Sequence, residues 1–201
     1  QCALAIRNGQ TLVQALPGNA LMLGEMGIGN TSAASLILAR LCQIDIAACT
    51  GAGTGLNNAG VLRKTNILRQ ALAAHPEATA PLDVLAAFGG FEMATMVGAM
   101  LQAAAENRVI LVDGFIVTAA LMVAARVEPR VLQRCIFAHR SGEPGHQFML
   151  DALGAKPLLD WGMRLGEGSG AAVAWPLLQS ACTVLRDMAS FDSAGVSDKS
   201  A

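Results

Sequence analysis

Val109-Ile110-Leu111-Val112 is an unbroken run of strand-favouring residues, stopped by Asp113-Gly114 and followed by a helical pattern over Phe115–Ala125. A strand that is apolar at every position is covered on both faces, as in the parallel sheet of an α/β protein. The same succession recurs outward from it. Ala20–Leu23 reads as a buried strand before a helix over Thr31–Cys42, opened by an Asn30/Thr31 cap. Cys135–Ala138 reads as a strand before a helix over His146–Leu153, and Ile44–Cys49 as a further short strand. Helices are expected over Asn57–Ala74, over the pair Asp83–Phe88 and Phe91–Ala105 broken at Gly89-Gly90, and over Gly168–Met188, the last buried on most sides. The chain opens in helical pattern, with apolar Leu4, Ile6, Leu12, Val13 and Leu16. Alternating strands and helices predict parallel strands with crossovers, hence a three-layer, Rossmann-like α/β fold with a mainly parallel sheet. Ligands in such folds sit beyond the carboxyl ends of the strands.

Composition narrows the function classes. The 201 residues suit one domain with a substantial core. Net charge is −1, with 14% charged residues, 4% aromatic residues and no Tyr. Neither a basic field for nucleic acid nor a Lys/Arg cluster for anionic lipid is present. Mean hydropathy is +0.46, yet the longest uncharged stretch, Gly168–Leu185, carries Ser169, Pro176, Gln179, Ser180 and Thr183 and is too polar to span a bilayer. The five cysteines form no CxxC pair. Their odd number points to a reducing cytoplasm, most of them serving as small buried hydrophobes. Three scattered histidines make no metal site.

Four glycine-rich segments follow the strands. Gly24-Glu25-Met26-Gly27-Ile28-Gly29-Asn30-Thr31 leaves a strand and opens a helix, where backbone N–H groups can cradle a phosphate. It has the glycine spacing of a P-loop, but Asn30 stands where the lysine belongs, which argues against an NTPase. Glu25 within the turn suits ribose hydroxyls or a base. Cys49-Thr50-Gly51-Ala52-Gly53-Thr54-Gly55 allows close backbone approach to a ligand, with Lys64 on the next helix as a phosphate partner or as part of a solvated face. In His139-Arg140-Ser141-Gly142-Glu143-Pro144-Gly145-His146, Ser141 and the N–H groups after it are anion-binding candidates, and His139 is a structural or hydrogen-bonding histidine. In Arg164-Leu165-Gly166-Glu167-Gly168-Ser169-Gly170 a lone glutamate has glycine on both sides at the mouth of a helix. It suits a general base, or a charge favoured by the helix dipole.

Taken in order, these segments resemble the nicotinate-nucleotide–dimethylbenzimidazole phosphoribosyltransferases of cobalamin nucleotide-loop assembly. The resemblance rests on the motifs Gly24–Thr31, Gly51-Ala52-Gly53 with Lys64, Asp83-Val84-Leu85 with Gly89-Gly90-Phe91-Glu92, Leu111–Phe115, Ser141 with Gly145, and Met163–Ala172. It implies transfer of the 5-phosphoribosyl group from nicotinate mononucleotide to 5,6-dimethylbenzimidazole, with inversion at the anomeric carbon, in a homodimer with no metal or other cofactor. It implies that Glu167 is the catalytic base and Glu25 a second active-site glutamate. Gly27, Lys64 and Ser141 would lie near the ribose phosphate, Met26 and Leu165 would line the base pocket, and Gly166 would belong to the substrate site. Arg164 and Asp113 fall within the motifs, with no role carried to them. The family's chain is longer by an N-terminal part of roughly 150 residues. On that basis residues 1–190 are expected to form the Rossmann-like domain, N-terminally truncated, with helices of a smaller domain, and 191–201 a flexible tail. A non-catalytic module binding a nucleoside monophosphate or benzimidazole is the alternative.

Overall fold

Three short strands carry the sheet in the computed structural model, which describes residues 1–195. The element order is α1 (Cys2–Ala15), β1 (Ala20–Met22), α2 (Thr31–Cys42), α3 (Ile46–Cys49), α4 (Asn58–Ala74), α5 (Pro81–Phe88), α6 (Phe91–Ala105), β2 (Val109–Val112), α7 (Phe115–Val127), a 3₁₀ turn (Pro129–Arg134), β3 (Cys135–Phe137), α8 (Pro144–Ala152) and α9 (Ser169–Asp187). The sheet has the order β1-β2-β3 and both pairings are parallel, with Leu21 opposite Ile110 and Leu111 opposite Ile136. Side chains of β2 alternate between two cores. Ile110 and Val112 join the large cluster with α6 and α7, whereas Leu111 faces Ala171 and Ala174 of α9. Helices therefore cover both faces, giving the expected three layers. Every residue from Phe115 to Ala125 in α7 is buried. That accounts for the high hydropathy, and no helix among the described residues is long and apolar enough to cross a membrane.

Two sequence expectations are corrected, and the packing of α1 adds a third finding. The run Ile44–Cys49 is not a strand: Asp45 Oδ1 accepts the Ala47 N–H at 2.9 Å and caps the short helix α3. A single capping carboxylate decides a run too short for its apolar pattern to do so. Helix α9 is not buried on most sides: Gly170, Ala171 and Ala174 are buried, all in its first two turns, with Trp175 and Leu178 partly covered beside them. In α1 the buried stripe is Ala5, Gly9 and Val13, while Leu4, Leu12 and Leu16 are exposed. The small residues win because α1 lies against α6 nearly backbone to backbone. A Cβ on Gly98 would fall inside the surface of the Ile6 carbonyl oxygen, and one on Gly9 inside that of the Thr95 carbonyl oxygen. The tail expected over 191–201 lies outside the described residues from 196 onward.

Candidate active site

The loops that leave the carboxyl ends of β1, β2 and β3 meet the 164–168 segment around one open cleft. Its first wall is the turn after β1. Glu25 folds back on this turn, Oε2 accepting from the Gly27 N–H at 2.7 Å and from Asn30 Nδ2 at 2.5 Å. Asn30 stands at the N-cap of α2 but makes no side-chain cap there, since its amide is given to Glu25 and, at 3.4 Å, to Glu92. The expected Asn30 cap is thus replaced by a glutamate clasp. It leaves the first-turn end of α2 lining the cleft through Asn30 and Thr31.

The glutamate loop is tied directly to this turn. Glu167 N–H donates to the Glu25 carbonyl at 3.2 Å. Gly166, Glu167 and Gly168 have φ of +81°, +60° and +76°, so a non-glycine residue is held in the left-handed region between two glycines. Gly24 permits the approach, because a Cβ there would lie 2.5 Å from the Glu167 carbonyl carbon. The glycines flanking Glu167 therefore set its backbone conformation. A strained residue of this kind survives where its surroundings fix it, and such positions gather at functional sites.

Two cations converge on the 51–53 turn. Lys64 Nζ donates to Thr31 Oγ1 at 2.9 Å and to the Gly51 carbonyl at 3.2 Å. Arg164 Nη2 donates to the Gly53 carbonyl at 2.8 Å and to Glu143 Oε1 at 3.2 Å. Burial lowers the Lys64 pKa, and the charge of Glu143 opposes that shift.

The floor includes Asp113 and His139, with His146 buried behind them. Asp113 Oδ1 accepts the Ala171 N–H at 3.0 Å, so a carboxylate from the β2 end caps α9 just past the Glu167 loop. His139 Nε2 lies 3.7 Å from the same oxygen, and the ring packs on Gly170. His146 is fully buried and its tautomer follows from its partners. Thr118 Oγ1 gives its only proton to the Gly114 carbonyl at 2.7 Å, so Nε2–H donates to Thr118 at 2.9 Å while Nδ1 accepts the Ser141 N–H at 2.8 Å. Burial first, then the neighbouring His139 and Arg140, pushes the His146 pKa down to about 3 from 6.5. A neutral native imidazole stabilises the fold fully above the unfolded pKa of 6.5, and that stability is lost as pH falls from there toward about 3. Each pH unit within the window is worth roughly 1.4 kcal/mol. Urea titrations from pH 7 to pH 4 should show this slope, and it should flatten in His146→Asn.

The cleft brings Glu25, Gly27, Ser141, Leu165 and Gly166 together, with Thr31, Asp113, Glu143 and Arg164 beside them. Lys64 reaches its edge through Thr31 and the 51–53 turn. Met26 and Glu167 do not line it; both are exposed, on loops that border it. The N–H groups after Ser141 are not open to an anion. Gly142 N–H donates to the Met163 carbonyl and Glu143 N–H to Ser141 Oγ, leaving the Ser141 hydroxyl as the group that can face a ligand. Neither Glu143 nor Arg164 has a role assigned from sequence. The signal for Arg164 is its place in the Met163–Ala172 motif, whereas a Glu before Pro144 looks like an ordinary helix-start charge. Among the described residues no group of three His, Cys, Asp or Glu side chains could hold a metal ion.

A family model described as Phosphoribosyltransferase matches residues 1–196. The chain belongs to this family. Within the phosphoribosyltransferases it is 64% identical, over 99% of its length, to the nicotinate-nucleotide–dimethylbenzimidazole phosphoribosyltransferase of Variovorax paradoxus, covering 57% of that protein. It is 59% identical, over 92% of its length, to the enzyme of the same name from Ralstonia nicotianae, covering 52% of it. The crystal structure of CobT from Thermus thermophilus superposes with a TM-score of 0.92 at 38% identity, over 98% of this chain and 60% of that one. The chain thus spans somewhat more than half the length of these phosphoribosyltransferases.

Proposed function

We propose that this chain carries the catalytic centre of a phosphoribosyltransferase that moves the 5-phosphoribosyl group of nicotinate mononucleotide to 5,6-dimethylbenzimidazole, giving α-ribazole 5′-phosphate and nicotinate for cobalamin. The observation that carries the reading is the backbone bond joining the Glu25 and Glu167 loops beside a cleft that Thr31 and Arg164 line and Lys64 borders. Carboxylates on the Glu25 and Glu167 loops and cations at the 51–53 turn suit a ribose phosphate held beside both. The names of the relatives supply the two substrates.

In this reading Lys64, Thr31 and the Ser141 hydroxyl take the phosphate and anchor the anomeric carbon, while Gly27, whose N–H is given to Glu25, lies beside them. Met26 and Leu165, 74% exposed each, are apolar surface for the flat base, and Gly166 leaves space between that base and Glu25. The pyridinium nitrogen of the donor is already cationic, so nicotinate departs with the bond electrons and needs no general acid. The unprotonated benzimidazole nitrogen attacks from the opposite face and forms the new C–N bond, and the proton on the other ring nitrogen passes to the Glu167 carboxylate. Glu25 stabilises the positive charge developing on the ribose. Attack opposite the leaving group converts β to α.

The reading also makes the enzyme a homodimer of the cytoplasm. The exposed apolar positions Val173, Leu177 and Val184 along α9, with Met188 just past its end, support a second copy, checked by light scattering. Five free cysteines support a reducing compartment. Incubation of the intact enzyme with both substrates and chromatography for α-ribazole phosphate tests the reaction, and bound substrates without product would refute it. Lys64→Met should raise KM for the mononucleotide about tenfold or more, as removal of a charge-assisted phosphate contact does, with KM for the base unchanged. Equal rises in both KM values would remove Lys64 from the phosphate site.

A further inference from the structure

The proposed transfer gives Glu143 no role, yet its side chain is only 9% exposed and forms part of the cleft wall. It is pressed against Gly51, where an added Cβ would collide with Oε2. Oε1 holds Arg164 by a single contact of 3.2 Å, shared with the Gly53 carbonyl on the same nitrogen. Oε2 has no hydrogen-bond donor among the described residues. The geometry is that of a weak, one-point ion pair. A guanidinium can make a two-point fork with a carboxylate or a phosphate, and Arg164, with 53% of its side chain exposed, is free to do so with an incoming anion.

A phosphomonoester entering this end of the cleft meets two cations, Lys64 and Arg164, already offset by one carboxylate. The phosphate itself does not react. Binding energy beyond what orients the ribose holds substrate, transition state and product alike, and lowers KM without raising kcat. An excess of it would only retain the product, which carries the same phosphate.

We propose that Glu143 is a resident competitor for Arg164, weakening the hold of the cleft on the phosphate of substrate and product together. The inference rests on the phosphoribosyl-transfer reading. It differs in sign from a structural role: a carboxylate that merely supports the site would, once removed, leave phosphate bound more weakly.

Calorimetric titration of ribose 5-phosphate and of inorganic phosphate into the intact wild-type enzyme, Glu143→Gln and Glu143→Ala decides between them. Gln keeps the shape and removes the charge, and Ala removes both. Both variants should bind the two phosphates about tenfold tighter, as expected for loss of a nearby like charge, with affinity for dimethylbenzimidazole unchanged. They should also show product inhibition at correspondingly lower α-ribazole phosphate. Phosphate affinity that is unchanged or reduced in the variants overturns the proposal, and so does failure of both to fold, which would make Glu143 structural. A wild-type enzyme that binds neither phosphate would instead sink the transfer reading itself.

Discussion

Glu167→Gln should lower kcat by about 10²–10⁴-fold, the range contributed by a positioned general base, while ribose 5-phosphate affinity stays within about twofold of wild type. The amide keeps the volume and removes the proton acceptor. The phosphate contacts proposed for Lys64, Thr31 and Ser141 lie on α4, on α2 and in the loop after β3, so the ground-state anchor remains. Rapid-quench measurement of a single turnover isolates the chemical step, and near-normal turnover would exclude Glu167 as the base. Backbone conformation offers an independent check. Glu167 sits at φ +60° between two glycines that are also left-handed, a conformation that costs an ordinary residue roughly 1–2 kcal/mol. Glu167→Gly should therefore abolish turnover while raising stability by about 1 kcal/mol in urea titration, after part of the gain is offset by the greater unfolded-state entropy of glycine. A residue kept for its packing would lose both together. Stability gained as activity is lost marks strain held for function.

The route from sequence to this site is uneven, for physical reasons. β2 is legible because four consecutive strand formers end at Asp113-Gly114, and the structure places both edges of that strand against parallel partners. The glycine runs are legible as close-approach segments, and Gly24, Gly51 and Gly170 do lie where a Cβ would strike neighbouring groups. What a glycine run does not reveal is which group comes close. Gly24 meets Glu167, 143 positions along the chain, and Gly170 meets His139. Glu143 and Arg164 escape for the same reason. Each is an ordinary charged loop residue until the fold brings the 51–53 turn between them and Lys64. α3 misleads because six apolar-rich residues fit a strand or a helical turn equally, and the Asp45 cap decides. The outward faces of α1 and α9 mislead because large apolar side chains, the natural candidates for burial, lie there on the solvent side.

That last reversal gives the sharpest stability test. By hydropathy Leu12 should matter more than Gly98, and by structure the order reverses. Leu12 is 55% exposed, so Leu12→Ala in this chain should change stability by no more than about 0.5 kcal/mol. Gly98 faces the backbone of α1, with the Ile6 carbonyl group and Cα as its nearest neighbours. A flexible side chain could turn aside from a new methyl group, but a helix backbone can yield only by moving as a whole. Gly98→Val must therefore lift α1 away from α6 and open the contact that buries Ala5 and Val13. The expected loss is about 3 kcal/mol or more, at the upper end for overpacking, which lowers the melting temperature by roughly 6–12 °C in a chain of this size. Hydrogen exchange should place the damage, with amides of residues 2–15 losing protection ahead of those in α7. If Gly98→Val melts with the wild type, or Leu12→Ala falls as far, then the two helices are not held together by their small residues.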